Sequence, residues 1–188
     1  QHNHDKVVIV DEAYVDFGAS TAVPLLEQFD NLVVVHTMSK SRALAGLRVG
    51  FAMASKEIVQ ALVRVKDSFN SYPLDTLAQA GALASVQDDD YFRKSCQAVI
   101  QARATLASGL QELGFDVLPS QTNFVFVRHP AYDARAISQA LRERGILVRH
   151  FNQPRIEQYL RITVGTLDQC RRLCSTLAEI FDDLPVMN

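Results

Sequence analysis

Long hydrophobic runs are absent from this chain of 188 residues, whose longest aliphatic stretches are the four-residue runs 7–10 and 32–35. A membrane-spanning helix needs roughly 20 consecutive apolar residues, so the sequence predicts no transmembrane helix. An excess of one charge is also absent, because the formal net charge is −2. We therefore expect no binding to nucleic acid and no electrostatic attraction to an anionic membrane.

Cysteine is scarce: the chain has three, Cys96, Cys170 and Cys174. Three thiols give no paired disulfide framework. Cys170 and Cys174 lie one helical turn apart among leucines, so buried thiols are the better interpretation and metal binding is the weaker one. We expect no bound metal ion, and a reducing cytoplasm is the predicted location.

The amino-terminal residues 1–6 are polar and do not resemble a signal peptide. The chain has no initiator methionine, and a strand of the fully buried type begins at once, at Val7. Such a strand needs neighbours on both edges and cover on both faces. We therefore expect that the front half of the fold is missing from this sequence.

The apolar pattern of the first half predicts an α/β fold. Residues 7–10 and 32–36 are rich in valine and are predicted to be central parallel strands, with a short crossover helix over 23–29 between them. A third strand is predicted over 49–54. No long crossover precedes it, which favours the opposite direction.

The second half again alternates helices and strands. A long amphipathic helix is predicted to begin after residues 88–90 and to end at Gly114, which provides a left-handed cap. Strands are then predicted over 115–118, 123–127, 146–150 and 159–164, with helices beginning after Asp133 and Thr166. We divide the chain into two domains, residues 1–90 and residues 91–188, the second being a small α/β domain.

Polar side chains follow the ends of the first two predicted strands. They are Asp11 and Tyr14 after the first strand, Thr37, Ser39 and Lys40 after the second, and Arg48 a little further on. Ligands of open α/β sheets bind beyond the carboxyl ends of parallel strands. Pyridoxal 5'-phosphate needs a lysine amine, an acid against its pyridine nitrogen, a donor to its ring oxygen, and hydroxyls with a guanidinium around its phosphate. These residue types match that set.

Taken singly, each of these residues has a more ordinary interpretation. A lone lysine is usually a solvated surface charge, and an aspartate after a strand is usually a turn or cap residue. Arg48 has the alternative of pairing with any nearby acid. Only the joint order and spacing of the six residues makes the cofactor interpretation specific.

Several motifs carry a resemblance to a known family. They are Asp11-Glu12-Ala13-Tyr14-x-Asp16-Phe17, Thr37-x-Ser39-Lys40, Ala45-Gly46-Leu47-Arg48-x-Gly50, Pro119-Ser120-x-x-Asn123-Phe124, Gly145-Ile146-x-Val148-Arg149 and Leu160-Arg161-Ile162-Thr163-Val164-Gly165. The chain resembles the fold-type I aminotransferases, and among them the histidinol-phosphate aminotransferase branch. The resemblance covers essentially the whole chain but only the carboxyl-terminal half of a typical member.

The resemblance implies a role for each candidate residue. Lys40 would be the catalytic lysine that binds the cofactor covalently, with Asp11 at the pyridine nitrogen and Tyr14 at the ring oxygen. Thr37, Ser39 and Arg48 would hold the cofactor phosphate. Arg161 would bind the substrate's carboxylate or, in the histidinol-phosphate branch, its phosphate, with Arg149 as that branch's second phosphate arginine, and Asn123 would border the substrate. For Arg149 a rim charge, and for Asn123 a buried turn residue, remain open alternatives.

The resemblance also implies a reaction and partners. The first domain would be the carboxyl-terminal half of the cofactor-binding large domain, with a mostly parallel sheet. The reaction would be amino transfer between glutamate and a small phosphorylated keto substrate, imidazole acetol phosphate, in a homodimer. A threonine-phosphate decarboxylase is a second possibility, and a truncated, non-catalytic protein that only oligomerises is a third.

One segment departs from the family pattern. Members usually carry an aromatic–glycine pair after Lys-Ala, where this chain has Ser41-Arg42-Ala43-Leu44. The family's cofactor-binding residues upstream of the matched region have no counterpart in these 188 residues. We therefore expect weak or no cofactor binding by the 188-residue chain itself.

Overall fold

The computed structural model describes residue 3 and residues 5–187. Within these residues the strands are β1 (Val8–Asp11), β2 (Leu32–Thr37), β3 (Gly50–Ala54), β4 (Asp116–Val117), β5 (Phe124–Arg128), β6 (Arg149–His150) and β7 (Leu160–Thr163). The α-helices are α1 (Lys56–Phe69), α2 (Thr76–Gln87), α3 (Asp89–Glu112), α4 (Ala134–Glu143) and α5 (Leu167–Asp183). The predicted α/β fold class is confirmed.

The chain divides into two compact units, Gln1–Ser95 and Cys96–Asn188. The division falls within α3, which corresponds to the long amphipathic helix that the sequence predicts. The predicted domain boundary after residue 90 stays a prediction, because a division by contacts does not define an independently folding domain.

The sheet of the first unit has the order β1-β2-β3. β1 and β2 are parallel, with Asp11 opposite Val35, and β3 runs antiparallel to β2, as the short turn before it favours. The predicted crossover helix over 23–29 is instead a 3-10 helix, Val23–Glu27, with Pro24 near its start. A segment this short is typical of 3-10 geometry, because an α-helix of one turn gains few internal hydrogen bonds.

Burial in the first unit is concentrated on β2, whose residues Leu32, Val33 and Val34 are buried. β2 is therefore a central strand, as predicted, whereas β1, the other strand predicted to be central, has a neighbour on one side only among the described residues. β1 lies at the edge of the sheet formed by the described residues, and Ile9 is 65% exposed. The amphipathic helix α1 likewise buries no residue in this chain.

The second unit has an antiparallel sheet with the order β4-β5-β7-β6. One face of this sheet joins α3, α4 and α5 in a single hydrophobic core. Its buried members include Leu106, Leu110, Val125, Val127, Ile137, Leu141, Leu160, Ile162, Leu173, Leu177 and Ile180. Cys170 is also buried there, and Cys96, Cys170 and Cys174 are all free thiols.

Local capping signals set the ends of several helices. Asp75 and Asp133 each accept a hydrogen bond from the third backbone N–H of the helix that follows. Thr166 and Gln169 form a reciprocal capping box at the start of α5. Gly114 follows α3 with a φ of 85°, a left-handed conformation that glycine adopts without strain.

The described part of the chain also bears on membrane insertion and on metal binding. None of its helices is both long and apolar enough to cross a bilayer. No cluster of histidine, cysteine, aspartate or glutamate residues suited to a metal ion occurs among the same residues.

Candidate functional site

The parallel pairing of β1 and β2 brings the ends of both strands to one edge of the sheet. Asp11 is the last residue of β1, and Lys40 follows β2 by three residues in a turn. The Nζ atom of Lys40 lies 5.5 Å from the centre of the Tyr14 ring. The structure therefore brings the predicted amine and the predicted phenol together, beside the strand that ends in the predicted acid.

The carboxylate of Asp11 is exposed and accepts a hydrogen bond of 3.0 Å from the backbone N–H of Ala13. This local bond shapes the turn that leads from β1 to Tyr14. It uses one carboxylate oxygen, Oδ1, in the turn. The arrangement suits both the turn role and the cofactor role that the sequence leaves open for Asp11.

The three predicted phosphate ligands lie on adjacent chain segments. Thr37 is opposite Gly50 in the β2–β3 pair, and its Oγ1 atom accepts a hydrogen bond of 3.1 Å from the backbone N–H of Ser39. Arg48 precedes β3, is exposed, and donates a hydrogen bond of 2.8 Å to the carbonyl of Ala45. Two hydroxyls and a guanidinium thus lie at the end of the central strand and on the chain segment between it and β3.

The residue that follows Asp11, Glu12, is a buried carboxylate, and the sequence alone did not identify it as part of the site. Glu12 is 7% exposed and accepts hydrogen bonds from Thr21 Oγ1 at 2.7 Å, from the backbone N–H of Ala22, and from His36 Nε2 at 2.8 Å. Burial by itself raises the pKa of Glu12, but the hydrogen bonds and the imidazole outweigh it, so the pKa lies below its ordinary value. The Glu12 side chain is therefore an acceptor that links β1, β2 and the loop between them.

A second link joins the turn after β1 to the turn after β2. The hydroxyl of Ser41 donates a hydrogen bond of 2.5 Å to Oδ2 of Asp16, and Ser41 is itself buried. Asp16 lies in the 3-10 helix Val15–Phe17 that follows Tyr14. The family motif contains an acid at this point, but only the three-dimensional fold shows its hydroxyl partner.

The segment after Lys40 that departs from the family pattern has its own contacts. The guanidinium of Arg42 lies 4.0 Å from the centre of the Phe92 ring and donates a hydrogen bond to the carbonyl of Ser85. Ala43 has a φ of 55°, which places a non-glycine residue in the left-handed region. Ala43 therefore has a conformation that the glycine of the family's aromatic–glycine pair would adopt with less backbone strain.

The predicted substrate arginines are direct neighbours within the second unit. Arg149 of β6 is opposite Arg161 of β7 in the antiparallel register. Directly opposed residues point to the same face of a sheet, with Cβ atoms roughly 5 Å apart. Within the described residues neither guanidinium has a carboxylate partner, and the buried Nε atom of Arg161 has no hydrogen-bond partner at all.

Aromatic rings support both guanidinium groups. Arg149 lies 4.9 Å from the centre of the Phe151 ring, and Arg161 lies 5.3 Å from the centre of the Phe124 ring. These distances are within the range of cation–π attraction. Since like charges directly opposite one another are unfavourable, the arrangement would gain stability from an anion shared by both arginines.

The third arginine of this sheet is different. Arg128 of β5 forms an ion pair of 2.9 Å with Asp116 of β4. Its charge is therefore balanced within the protein. Asn123 directly precedes β5, and its carbonyl accepts a hydrogen bond of 2.9 Å from the backbone N–H of Val164. The structure thus places Asn123 beside the end of β7, the strand that carries Arg161.

The residues at the ends of β1 and β2 fit the chemistry of pyridoxal 5'-phosphate. The fit rests on the donor set: an amine beside a phenol ring, an exposed carboxylate on the neighbouring strand, and two hydroxyls with an exposed arginine. A phosphate dianion prefers hydroxyl and guanidinium donors. The aldehyde group of pyridoxal phosphate bonds covalently to a lysine amine. Lys40, Asp11, Tyr14, Thr37, Ser39 and Arg48 are therefore the residues that would hold this cofactor.

Comparison with known proteins agrees with this donor set. A model of the family described as aminotransferase class I and II matches residues 1–177. A histidinol-phosphate aminotransferase of Dechloromonas aromatica is 58% identical over 178 residues, which cover 95% of this chain and 50% of that protein. One from Acinetobacter baylyi is 59% identical over 177 residues, covering 94% of this chain and 49% of that protein.

A solved structure gives a similar result. The crystal structure of histidinol-phosphate aminotransferase from Sinorhizobium meliloti in complex with pyridoxal-5'-phosphate superimposes with a TM-score of 0.83 at 26% sequence identity. The match covers 96% of this chain and 50% of that one. The chain thus spans about half the length of the curated relatives it matches.

Proposed function

This chain belongs to the class I and II aminotransferases, and from that membership we propose that it is the part of a pyridoxal-phosphate-dependent aminotransferase that carries the cofactor lysine and the substrate-phosphate arginines. The proposed reaction exchanges an amino group between histidinol phosphate and 2-oxoglutarate, or between glutamate and imidazole acetol phosphate in reverse. The names of the similar proteins and the geometry of both units support this assignment.

The observation that carries the substrate assignment is the cross-strand pair of Arg149 and Arg161. Two planar guanidinium groups on one face of a sheet match a phosphate dianion better than a monovalent carboxylate. The absence of a carboxylate partner among the described residues leaves both charges available to a ligand. A phosphorylated substrate is therefore favoured over an ordinary amino acid.

The other residues have separate tasks in the proposed reaction. When bound, the cofactor supplies an electron sink for the bond at the substrate carbon. Lys40 provides the amine that binds the cofactor and then moves a proton to and from that carbon. Asp11 keeps a proton on the ring nitrogen, because an opposite charge stabilises the protonated form. Tyr14 donates to the ring oxygen and so orients the ring.

The phosphate of the cofactor would be held by Thr37, Ser39 and Arg48. Thr37 and Ser39 are already linked through the hydrogen bond from the Ser39 N–H, which fixes the turn that presents them. Arg48 is exposed and adds the positive charge. These contacts would bind and orient the cofactor without taking part in the proton transfers.

The proposal includes a cytoplasmic homodimer. Large apolar side chains of the first unit support burial against further polypeptide, because Leu62, Val65 and Phe69 of α1 are exposed in the chain by itself. Such a cluster is costly to leave in water. Sedimentation of the full-length protein that contains this chain measures the oligomeric state, and a monomer at micromolar concentration would contradict the dimer.

The substrate assignment is tested with the full-length protein and substrates with and without the phosphate. We expect Arg161→Ala and Arg149→Ala to raise the KM for histidinol phosphate by roughly 100-fold each, since a charge-assisted hydrogen bond contributes about 1.5–3 kcal/mol. The matched control is Arg128→Ala, which removes an arginine of the same sheet that is already paired with Asp116. An equal effect of all three substitutions would contradict the phosphate role.

The reaction class is tested by Lys40→Ala in the same protein. The substitution should abolish both turnover and the absorbance band of the lysine-bound cofactor, which borohydride would otherwise fix onto Lys40. Retained turnover would refute the assignment of Lys40. Release of carbon dioxide from threonine phosphate, without amino transfer, would instead favour the decarboxylase.

A further inference from the structure

We propose that two side-chain pairs, Glu12–His36 and Asp16–Ser41, are positioning links that hold the acid-bearing and amine-bearing turns in fixed register. The inference rests on the proposed function, because it concerns how Asp11 and Lys40 are placed relative to the cofactor. None of the four residues is placed among the cofactor or substrate ligands. Their contacts instead join the two chain segments that carry those ligands.

The first link begins where the parallel sheet ends. Among the described residues, the β1–β2 ladder closes with a backbone hydrogen bond of 2.9 Å from Glu12 N–H to the Val35 carbonyl. The Glu12 side chain then continues the connection through its 2.8 Å contact with His36. Glu12 follows Asp11 directly, and His36 precedes Thr37 directly. The link therefore ties together the two residues adjacent to proposed cofactor ligands.

The surroundings of this pair favour a strong interaction. The side chains of Glu12 and His36 are 5% and 18% exposed. Charge-assisted hydrogen bonds are stronger than neutral ones, and low exposure limits the competition from water. The His36 ring also packs against Phe51 of β3, with ring centres 5.3 Å apart. His36 is thus held from the side opposite to Glu12, which restricts its rotamers.

The second link lies further from the sheet. The Ser41 hydroxyl donates to the Asp16 carboxylate at 2.5 Å, a distance typical of an O–H donor to an ionised acceptor. Ser41 directly follows Lys40, and Asp16 lies two residues after Tyr14. This link therefore joins the turn that carries the phenol to the turn that carries the amine.

Two links constrain more than one. A single contact at the strand ends would leave the turns free to pivot, whereas a second contact beyond it fixes their relative rotation as well. The 5.5 Å separation between Lys40 Nζ and the Tyr14 ring centre lies between these two contacts in chain order. Catalytic groups lose much of their effect when they are displaced by about 1 Å, so such a constraint matters to the reaction.

The test uses the full-length protein and near-isosteric substitutions. They are Glu12→Gln, His36→Phe, Asp16→Asn and Ser41→Ala, with the double substitutions Glu12→Gln/His36→Phe and Asp16→Asn/Ser41→Ala. The readouts are the cofactor dissociation constant and the intensity of the lysine-bound cofactor band. We expect each single substitution to weaken cofactor binding by roughly tenfold and to reduce the band, because one charge-assisted bond is lost. Each double substitution should be no worse than its single members.

Matched controls separate positioning from simple destabilisation. Glu27→Gln removes an exposed glutamate of the same unit, and Thr21→Val removes a donor to Glu12 that does not connect the two turns. Both should leave the band unchanged. His36→Gln keeps a side-chain N–H donor and should recover part of the binding lost in His36→Phe.

The outcomes are distinguishable. Variants that unfold at a lower temperature but keep the wild-type dissociation constant and band would overturn the positioning role and leave the proposed function intact. Additive losses in the double substitutions would also overturn it. If the wild-type full-length protein binds no pyridoxal phosphate, the proposed function fails, and the inference that rests on it fails with it.

Discussion

The two units of this protein differ in how they are held together. In the second unit, residues of three helices and of the antiparallel sheet form one continuous buried core. In the first unit the corresponding cluster consists of Met38, Val49 and Ala78, beside the buried strand β2. Most of the exposed large apolar side chains of the chain belong to this first unit, among them Ile9, Phe69, Tyr72 and Leu77.

This difference shows that the two groups of candidate residues depend on different forces. The arginines of the second unit stand on the outer face of a sheet whose inner face is fully packed, so their backbone is fixed by hydrophobic burial. The proposed cofactor residues of the first unit lie at strand ends and in turns, next to the small cluster of Met38, Val49 and Ala78. Their placement depends on hydrogen bonds such as those of Glu12 and Ser41.

The largest expected effect comes from removing a core side chain in the second unit. Leu177→Ala truncates a fully buried leucine and should lower the free energy of unfolding by roughly 3 kcal/mol. Leu62→Ala in the first unit truncates a leucine that is 47% exposed and should change it by less than about 0.5 kcal/mol. Urea unfolding of the purified chain measures both.

The same pair of substitutions sharpens the comparison in the full-length protein. If additional polypeptide covers α1 there, Leu62→Ala should become distinctly destabilising. The loss of unfolding free energy caused by Leu177→Ala should be the same as in the 188-residue chain. Equal costs for the two leucines in the 188-residue chain would contradict the exposure of Leu62 and the difference between the two cores.

The next effect concerns the helix amino termini of the two units. Thr166 caps α5 through a reciprocal capping box, whereas Ser55 at the start of α1 makes no side-chain capping bond. Thr166→Ala should therefore cost about 1 kcal/mol, and Ser55→Ala close to nothing. Thermal unfolding followed by circular dichroism measures the difference, and a larger cost for Ser55→Ala would contradict it.

These caps also show what the sequence can predict. Asp75, Asp133 and Thr166 act on backbone groups within three residues, so a local pattern is enough to identify them. The sequence also predicts the two valine-rich strands, which the structure has as β1 and β2. Each contains a continuous run of apolar residues, which is the composition typical of a strand in the interior of a parallel sheet.

The remaining features depend on register, which local sequence does not specify. The opposition of Arg149 and Arg161 requires the alignment of β6 with β7. The contact of Glu12 with His36 requires the parallel alignment of β1 with β2. A shift of one residue would turn these side chains to opposite faces. The family resemblance supplied the arginines as candidates, but nothing in the sequence indicated the role of Ser41 beside Asp16.

A smaller effect is expected at two left-handed positions, one in each unit. Ala43 has a φ of 55°, and Gly145 has a φ of 74° with no atom within 4 Å of a Cβ placed on it. Ala43→Gly should stabilise the protein by about 0.5–1 kcal/mol, because relief of backbone strain exceeds the added entropy of the unfolded chain. Gly145→Ala should destabilise the protein, because alanine is strained at this φ.

Chemical denaturation of both variants checks this prediction. A stabilised Gly145→Ala would show that backbone strain does not govern these turns. In the full-length protein, Ala43→Gly also tests whether the departure from the family pattern matters for Lys40, since the cofactor band should change only if Arg42 and Ala43 help to hold that turn.

The smallest effect is a difference in acid sensitivity between the units. Burial lowers the pKa of His129 in the second unit, and the opposing effects of the Leu113 carbonyl and the Asp116 charge do not cancel it. Both nitrogens of the neutral ring have hydrogen-bond partners. Nε2 lies 3.1 Å from the Leu113 carbonyl, and Nδ1 accepts a hydrogen bond from the Ala131 N–H at 3.1 Å. Protonation at Nδ1 would break the second bond.

The unfolded chain binds the His129 proton more readily than the folded chain does, and this sets the direction in which stability changes with pH. The unfolded chain protonates His129 at its ordinary pKa of about 6.5, whereas the folded chain does so only at lower pH. Its stabilising contribution is therefore complete above pH 6.5 and is lost as the pH falls below it. Glu12 has a lowered pKa in the folded first unit, so its contribution is complete above its ordinary value of 4.5 and is lost below that.

The second unit should thus begin to lose stability at a higher pH than the first, even though its core is larger. Hydrogen exchange resolved by residue between pH 7 and pH 4 can follow each unit separately. His129→Gln should remove the loss in the second unit below pH 6.5, and Glu12→Gln should leave that loss unchanged. If His129→Gln has no effect on the pH dependence of the second unit, the buried imidazole does not carry its acid sensitivity, and packing against Phe115 and Phe181 is the remaining role of His129.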